Sequence, residues 1–295
     1  MTEIFGVPTQ ALFGQLLIGL INGSFYALLS LGLAVIFGLL NIINFAHGAQ
    51  YMMGAFVAWY LLNKAGIGYW WALVVAPLAV GLFGVVIERT MLKRLYKLDH
   101  LYGLLLTFGL ALIIQGLFRN EYGSSGLPYS IPSRLAGGQN LGFMFLPNYR
   151  AWVIVFSLVV CLSTWFVIEK TKLGSYLRAA TENPELVRAF GINVPRMITL
   201  TYGFGVALAA LAGVMAAPIY SVNPLMGADL IIVVFAVVVI GGMGSIMGSI
   251  VTGFGLGVIE GLTKVFYPEA SNTVIFIIMA IVLMFRPAGL FGTQR

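Results

Sequence analysis

Charge is what this sequence has least of. Only 9% of its 295 residues are Asp, Glu, Lys or Arg, while 60% are hydrophobic; an average soluble domain is about 25% charged. With a mean hydropathy of +0.98, the chain has too little polar surface to cover a globule, so part of its solvent is lipid. Cysteine is nearly absent. Cys161 is single and lies in an apolar run, which excludes an intrachain disulfide and leaves the redox compartment unread. Histidine occurs twice, as His47 and His100. No H-E-x-x-H pair, G-x-S-x-G element or clustered Cys and acid set is present, so metal and serine-nucleophile chemistry have no candidate. The P-loop pattern G-x-x-x-x-G-K-[ST] is also missing, so ATP chemistry of that kind is excluded. Carboxylates are scarce inside the apolar runs, where an ion-coupled carrier needs them. Asp229 reads as an acid complementing a helix N-terminus, Glu260 and Lys264 as an ordinary i, i+4 pair near an outer helix end, and Glu88 as an interfacial residue beside Arg89. Any energy source therefore lies outside the chain, and an enzyme is not expected. The start, MTEIFGVPTQ, has no Lys, Arg or A-x-A-like site, so no cleavable signal is expected.

Long apolar runs are what fill the sequence. They fall at 11–36, 41–62, 69–87, 101–118, 151–168, 197–217, 229–267 and 272–285. A bilayer-crossing helix needs about 20 predominantly apolar residues, and runs this continuous exclude the short alternating strands of a membrane barrel. The expected fold is an all-α polytopic membrane protein. The loops 88–100 and 169–196 are basic, whereas 119–150 is rich in Gly, Pro and Ser. Excess Lys and Arg marks cytoplasmic loops, so the basic loops and the C-terminus with Arg286 are read as cytoplasmic and 119–150 as external. Parity then requires 229–267 to cross twice, turning at GGMGSIMGS (241–249). About nine crossings are expected, within a range of eight to ten, some of them broken, with the N-terminus outside. The chain is read as one membrane domain (1–295), with a faint pseudo-repeat of 11–118 and 197–286 around the cytoplasmic loop 169–196. The loops leave no room for a soluble domain, and no nucleic-acid partner is expected.

Two stretches interrupt the apolar pattern. NIINFAHGAQYMMGAF (41–56) carries Asn41, Asn44, His47 and Gln50 with glycines among them, and IGGMGSIMGSIVTG (240–253) carries a run of glycines. Glycine-broken hydrophobic segments at corresponding positions of two halves point to a transport site near the midplane; alternatively, small residues let helix backbones approach. A candidate polar lining is Asn22, Ser24, Tyr26, Asn41, Asn44, His47, Gly48, Gln50 and Tyr51, with interhelical polar contacts as the competing role of the 41–56 cluster. The loop 169–196 holds a helix signal outside any span. Asn183 suits a cap, Pro184 the first turn, Glu185 the positive helix end and Gly191 a left-handed stop. Leu186, Val187 and Phe190 would share one face. Two turns are not stable alone in water, so that face would lie on the membrane and neighbouring spans or on a partner.

The segments LINGSFYALLSLGLAVIFGLLNIINFAHGAQYMMGAF, GSYLRAATENPELVRAFGINVPRM, VVVIGGMGSIMGSIVTGFGLGVIEGL and RPAGLFG together resemble the permease subunits of branched-chain amino acid ABC importers, the LivH type. The NFAHG element is specific, and the likeness runs over about 11–292. What the resemblance implies is a bacterial inner-membrane location and no cofactor. The implied partners besides lipid are a second, homologous LivM-like permease, two ABC ATPase subunits and an extracytoplasmic solute-binding protein. The helix near 183–191 would then be the segment that couples to the ATPases, with Arg178, Glu182, Asn183, Pro184, Glu185, Leu186, Val187, Phe190 and Gly191 as its residues. Substrate remains open between branched-chain amino acids and urea, short amides or aromatic acids. A passive channel for small neutral solutes is the rival from another class.

Overall fold

A computed structural model describes residues 3–292 apart from 5, 41, 42 and 97; Asn41 thus lies outside the described residues. Eleven α-helices are present among them: α1 (Thr9–Leu40), α2 (Ala46–Asn63), α3 (Tyr69–Thr90), α4 (His100–Tyr122), α5 (Asn148–Lys170), α6 (Lys172–Glu182), α7 (Pro184–Ala189), α8 (Val194–Ala216), α9 (Ala228–Gly241), α10 (Ile246–Phe266) and α11 (Val274–Phe285). Two small antiparallel hairpins complete the described structure: β1 (Glu3–Ile4) with β2 (Val7–Pro8), and β3 (Gly138–Asn140) with β4 (Phe145–Pro147).

Among the described residues, six helices are long and apolar enough to cross a bilayer: α1, α3, α4, α5, α8 and α10. The fold is that of an all-α polytopic protein, but helix lengths alone do not establish nine crossings. The run at 41–62 yields the 18-residue α2, whose amides, histidine and glycines dilute its apolar character and keep it out of this set. The run at 229–267 divides into the 14-residue α9 and the 21-residue α10. At about 1.5 Å per residue, α9 is about 21 Å long, short of an average hydrocarbon core, and α11 has only 12 residues.

Burial sorts the helices. In its most apolar window α1 is 83% buried, while α4 is 22% buried. Thus α1, α8 and α10 form the middle of the bundle, and α3, α4 and α5 turn Leu82, Leu105, Leu112, Leu117, Val159 and Phe166 outward. In a lipid solvent those residues need no protein partner. The central helices meet through small residues. α1 and α10 run antiparallel, and a Cβ at Gly257 would come within 2.4 Å of the Gly19 carbonyl oxygen. α2 touches α8 similarly, since a Cβ at Gly54 would fall 2.2 Å from the Ala210 oxygen. The turn between α9 and α10 is built on Gly242 and Gly244, with φ of +102° and +85°, a region closed to most side chains. Ser245 then caps α10, its Oγ accepting from the Gly248 N–H at 3.1 Å. The C-terminal RPAGLFG folds under this turn, the Leu290 and Phe291 N–H groups donating to the carbonyls of Ile240 and Gly241.

Candidate functional site: a cavity between helices α1, α2 and α9

A cavity of about 290 Å³ lies among Asn22, Phe25 and Tyr26 on α1, Tyr51 on α2, Tyr220, Asn223 and Met226 in the α8–α9 loop, and Asp229 and Leu230 on α9. This is the small end of the range of ligand pockets, about 300–1,000 Å³. Of the polar lining expected from sequence, Asn22, Tyr26 and Tyr51 meet here. Tyr220, Asn223 and Asp229 join them, although the sequence does not mark them as lining; the α8–α9 connection has no periodicity that would do so.

The wall of this cavity is held by a carboxylate behind it. Glu260 on α10 is buried. It accepts from Tyr26 Oη at 2.7 Å, Asn22 Nδ2 at 3.3 Å and Lys264 Nζ at 2.5 Å. Tyr220 Oη in turn donates to Asn22 Oδ1 at 2.7 Å. This adds to the expectation of an ordinary i, i+4 pair near an outer helix end: the Lys264 contact exists, but the same carboxylate also binds two side chains of α1. A sequence signal was available. Glu260 stands three residues after Gly257 and seven after Gly253, on the stripe that meets α1.

The remaining predicted residues divide away from the cavity lining. Ser24 is fully buried and donates back to the Leu20 carbonyl at 2.9 Å. Asn44, His47 and Gln50 are fully buried. Asn44 Nδ2 donates to Gln50 Oε1 at 3.2 Å and to Tyr202 Oη of α8 at 3.1 Å. His47 Nε2 lies 3.1 Å from the Leu29 carbonyl of α1; since a carbonyl only accepts, this nitrogen carries the proton. Gly48 packs on Gly227, and a Cβ at Gly48 would come within 2.4 Å of the Gly227 oxygen. The chain is not helical at residues 43–45, and Thr107 of α4 serves its backbone, accepting from the Phe45 N–H and donating to the Ile43 carbonyl, each at 3.2 Å. Unwound backbone within an apolar bundle needs such partners. This cluster joins α1, α2, α4 and α8, as interhelical polar contacts would.

A third buried polar group lies toward the basic end. Glu88 of α3 is buried and accepts from Tyr96 Oη and Thr199 Oγ1, each at 2.6 Å. It is therefore a helix-joining residue as well as an interfacial one. Burial, reinforced by the Glu88 carboxylate, holds the Tyr96 phenol above its ordinary pKa, so it stays a donor.

The helix signal at 183–191 is realised as α7. Asn183 Oδ1 accepts from the Leu186 N–H at 2.9 Å, Pro184 opens the helix, Glu185 lies in its first turn, and Gly191 has φ +81°. One part of the expectation is corrected. Val187 is buried in a small core with Leu177, Ala180, Val194 and Met197, whereas Leu186 and Phe190 are 55% and 77% exposed. The apolar face is thus split, and α7 does have a core of its own because α6, unforeseen as a helix, folds beside it. Arg178 on α6 ties the pair back to α5, donating to the Ile168 carbonyl at 3.1 Å and meeting Glu169 at 3.3 Å. Glu182 at the end of α6 is exposed.

A lipid-solvated helical bundle with a small mixed cavity in its interior and a short amphipathic pair at its basic end is the build of a membrane transport subunit. Residues 15–283 match the family model described as the permease component of the branched-chain amino acid transport system, and the chain belongs to that family. Its relatives include the high-affinity branched-chain amino acid permease LivH of Salmonella typhimurium, 31% identical over 99% of this chain and 98% of the relative. The corresponding protein BraD of Pseudomonas aeruginosa is 32% identical over 94% and 95%. The permease LivM of Escherichia coli is 28% identical over 92% of this chain and 68% of the relative. The protein is a multi-pass component of the bacterial inner membrane, with a transport role.

Proposed function

We propose that this chain is a permease subunit of an ATP-driven importer of branched-chain amino acids or similar small solutes. It works beside a second homologous permease, two ABC ATPase subunits and an extracytoplasmic solute-binding protein. The observation that carries this reading is α7: a capped two-turn helix, anchored by Val187, that holds Leu186 and Phe190 out from the basic end of the bundle. A permease without ATP chemistry of its own needs such a handle. In this reading the chain crosses the membrane nine times, counting α2, α9 and α11, and 1–295 forms one permease domain.

The mechanism follows from the connections. α7 shares its core with Val194 and Met197 at the start of α8. Two residues beyond Met197, Thr199 holds Glu88 of α3, and Tyr202 holds Asn44. Movement of α7 with closing ATPases would therefore turn α8 against α1, α2 and α3 together. Because α2 and the α8–α9 loop both line the cavity, its access would change with that rotation. Asn22, Tyr26 and Tyr51 would form part of the substrate pathway, and Asn44, His47 and Gln50 the joint that moves beside it.

The test is uptake by the complete importer in proteoliposomes with ATP enclosed. Phe190→Ala with Leu186→Ala should lower ATP-driven uptake at least tenfold while complex stability and cavity variants behave independently. Uptake that proceeds at full rate without ATP, unaffected by the double variant, would identify a passive channel instead.

A further inference from the structure

We infer that the basic turn after α3 binds the phosphate of an anionic phospholipid, whose acyl chain lies along the outward stripe of α3. This does not depend on what the chain transports. The turn is fixed from below. Leu92 is fully buried, the Met91 N–H donates to the Ile87 carbonyl at 2.9 Å, and the Leu95 N–H donates to the Leu92 carbonyl at 2.8 Å. Tyr96 Oη, donating to Glu88 at 2.6 Å, ties the far side of the turn back to α3. Arg89 in the last turn of α3, and Lys93 and Arg94 in the short 3-10 turn that follows, are all exposed. Their side chains have no hydrogen bond or ion pair with any described residue. The neighbouring acids in sequence are engaged: Glu88 lies buried with Tyr96 and Thr199, and Asp99 caps α4 by accepting from the Leu101 N–H at 2.8 Å.

The apolar part of the site is in line with the cations. Leu78, Leu82, Val86 and Arg89 are exposed and follow one another at four, four and three residues, so they form one stripe of α3. From Leu78 to Arg89 the helix rises about 17 Å, close to one leaflet of a hydrocarbon core about 30 Å thick. The stripe therefore runs one leaflet deep and ends in two guanidinium groups and an ammonium. Guanidinium groups take a phosphate through paired, charge-assisted hydrogen bonds, and basic pockets at the ends of spans suit anionic headgroups. A soluble acidic partner would meet the cations but leave the stripe above them uncovered; an amphiphile covers both. Because the turn is already held by Leu92 and Tyr96, little ordering opposes binding. The headgroup would sit beside Glu88, which joins α3 to α8 through Thr199.

Cations at helix ends lie among headgroups in any bilayer, so the test must separate a site from that general attraction. Full-length chain with its co-purifying subunits, delipidated in a neutral detergent, would be titrated with dioleoylphosphatidylglycerol, dioleoylphosphatidylcholine and the chain-free headgroup glycerophosphoglycerol, and bound molecules counted by native mass spectrometry. The wild type should bind its first phosphatidylglycerol at least tenfold more tightly than its first phosphatidylcholine, and the chain-free headgroup far more weakly than either lipid. Lys93→Gln with Arg94→Gln should weaken phosphatidylglycerol at least tenfold, with the lipid-free melting temperature unchanged. Lys93→Arg with Arg94→Lys should retain it. Lys170→Gln with Lys172→Gln, which removes as much charge from the same end, should leave it unaffected. Equal binding of the two lipids by the wild type would overturn the inference without any variant. So would equal loss in the two glutamine pairs, which would mean bulk charge, or a chain-free headgroup that binds as tightly as the lipid, which would mean a soluble phosphate site. Loss of the co-purifying subunits from the Lys93→Gln, Arg94→Gln protein with lipid binding intact would make the turn a protein contact instead.

Discussion

Glu260 shows what a single side chain decides here. A carboxylate out of water is retained only when paired and hydrogen-bonded, and this one is met by Tyr26, Asn22 and Lys264. Its effect on the cavity is indirect: it fixes which way two lining groups point. Glu260→Ala should therefore lower the thermal stability of the purified protein, by about 1–3 kcal/mol for the donors left unsatisfied. Glu260→Gln, which keeps an acceptor and the shape, should cost less. If the two variants melt alike and at the wild-type temperature, the carboxylate does not hold the wall. Sequence reasoning reached Asn22, Tyr26 and Tyr51 as lining residues by their polarity alone. It grouped them with Asn44, His47 and Gln50 because nothing in one dimension reveals that α2 begins at Ala46 and turns the second group toward Tyr202 and Leu29. Polarity in an apolar run marks a residue as purposeful; the helix start determines what it faces.

At the scale of elements, the helices at the centre are held by shape. Backbone contact between α2 and α8 runs through Gly54 against Ala210 and Gly213 against Tyr51, where a Cβ at Gly213 would lie 2.0 Å from the Tyr51 oxygen. Lipid offers no hydrophobic force between helices, so such close approach supplies much of the association. Gly54→Val should push α2 from α8, destabilise the protein by about 1–3 kcal/mol or more through overpacking, and reduce the yield of correctly assembled protein in detergent. Gly255 on α10 is the control, since a Cβ there meets open space. Gly255→Ala should leave the melting temperature unchanged or raise it slightly, as Ala is the better helix former. Equal damage at the two positions would mean that helix propensity, not contact, governs. The glycine runs were legible as packing or as a broken site. The structure makes 253 and 257 packing positions against α1 and makes 242 and 244 a turn, two roles within one run that composition does not separate. The cap, first-turn proline and left-handed stop of α7 were fully legible because they are local; the burial of Val187 was not, since it depends on α6.

The whole molecule has two chemically different ends, and their difference carries the orientation. At one end α2, α3, α4 and α5 bring together an aromatic collar: Trp59 against Tyr122, Tyr69 against Tyr149, and Trp70 against Trp152, with ring centroids 5.7, 5.7 and 5.3 Å apart. Aromatic belts lie at membrane–water interfaces, and the β3–β4 hairpin projects beyond this one. At the other end lie Arg89 in the last turn of α3, Lys93 and Arg94 just after it, and Lys170, Lys172, Arg178, Arg188 and Arg196 around α6 and α7, the excess expected of cytoplasmic loops. The α9–α10 turn belongs to this basic end, because Gly244 packs on Gly38 near the end of α1, and α10 returns antiparallel along α1. The shortness of α9 and α11 makes this the part of the topology that length cannot decide, so accessibility should decide it. In a Cys161→Ser background, single cysteines at Arg134, on the hairpin side, and Glu269, between α10 and α11, should react with a membrane-impermeant maleimide in intact spheroplasts. Those at Arg94, Arg188 and Met243 should react only after permeabilisation. Reaction of the Met243 cysteine from outside, or protection of the Glu269 cysteine until lysis, would remove the paired crossing of α9 and α10 and with it the count of nine. Reaction of the Arg188 cysteine from outside would turn the bundle over and take α7 out of reach of any ATPase.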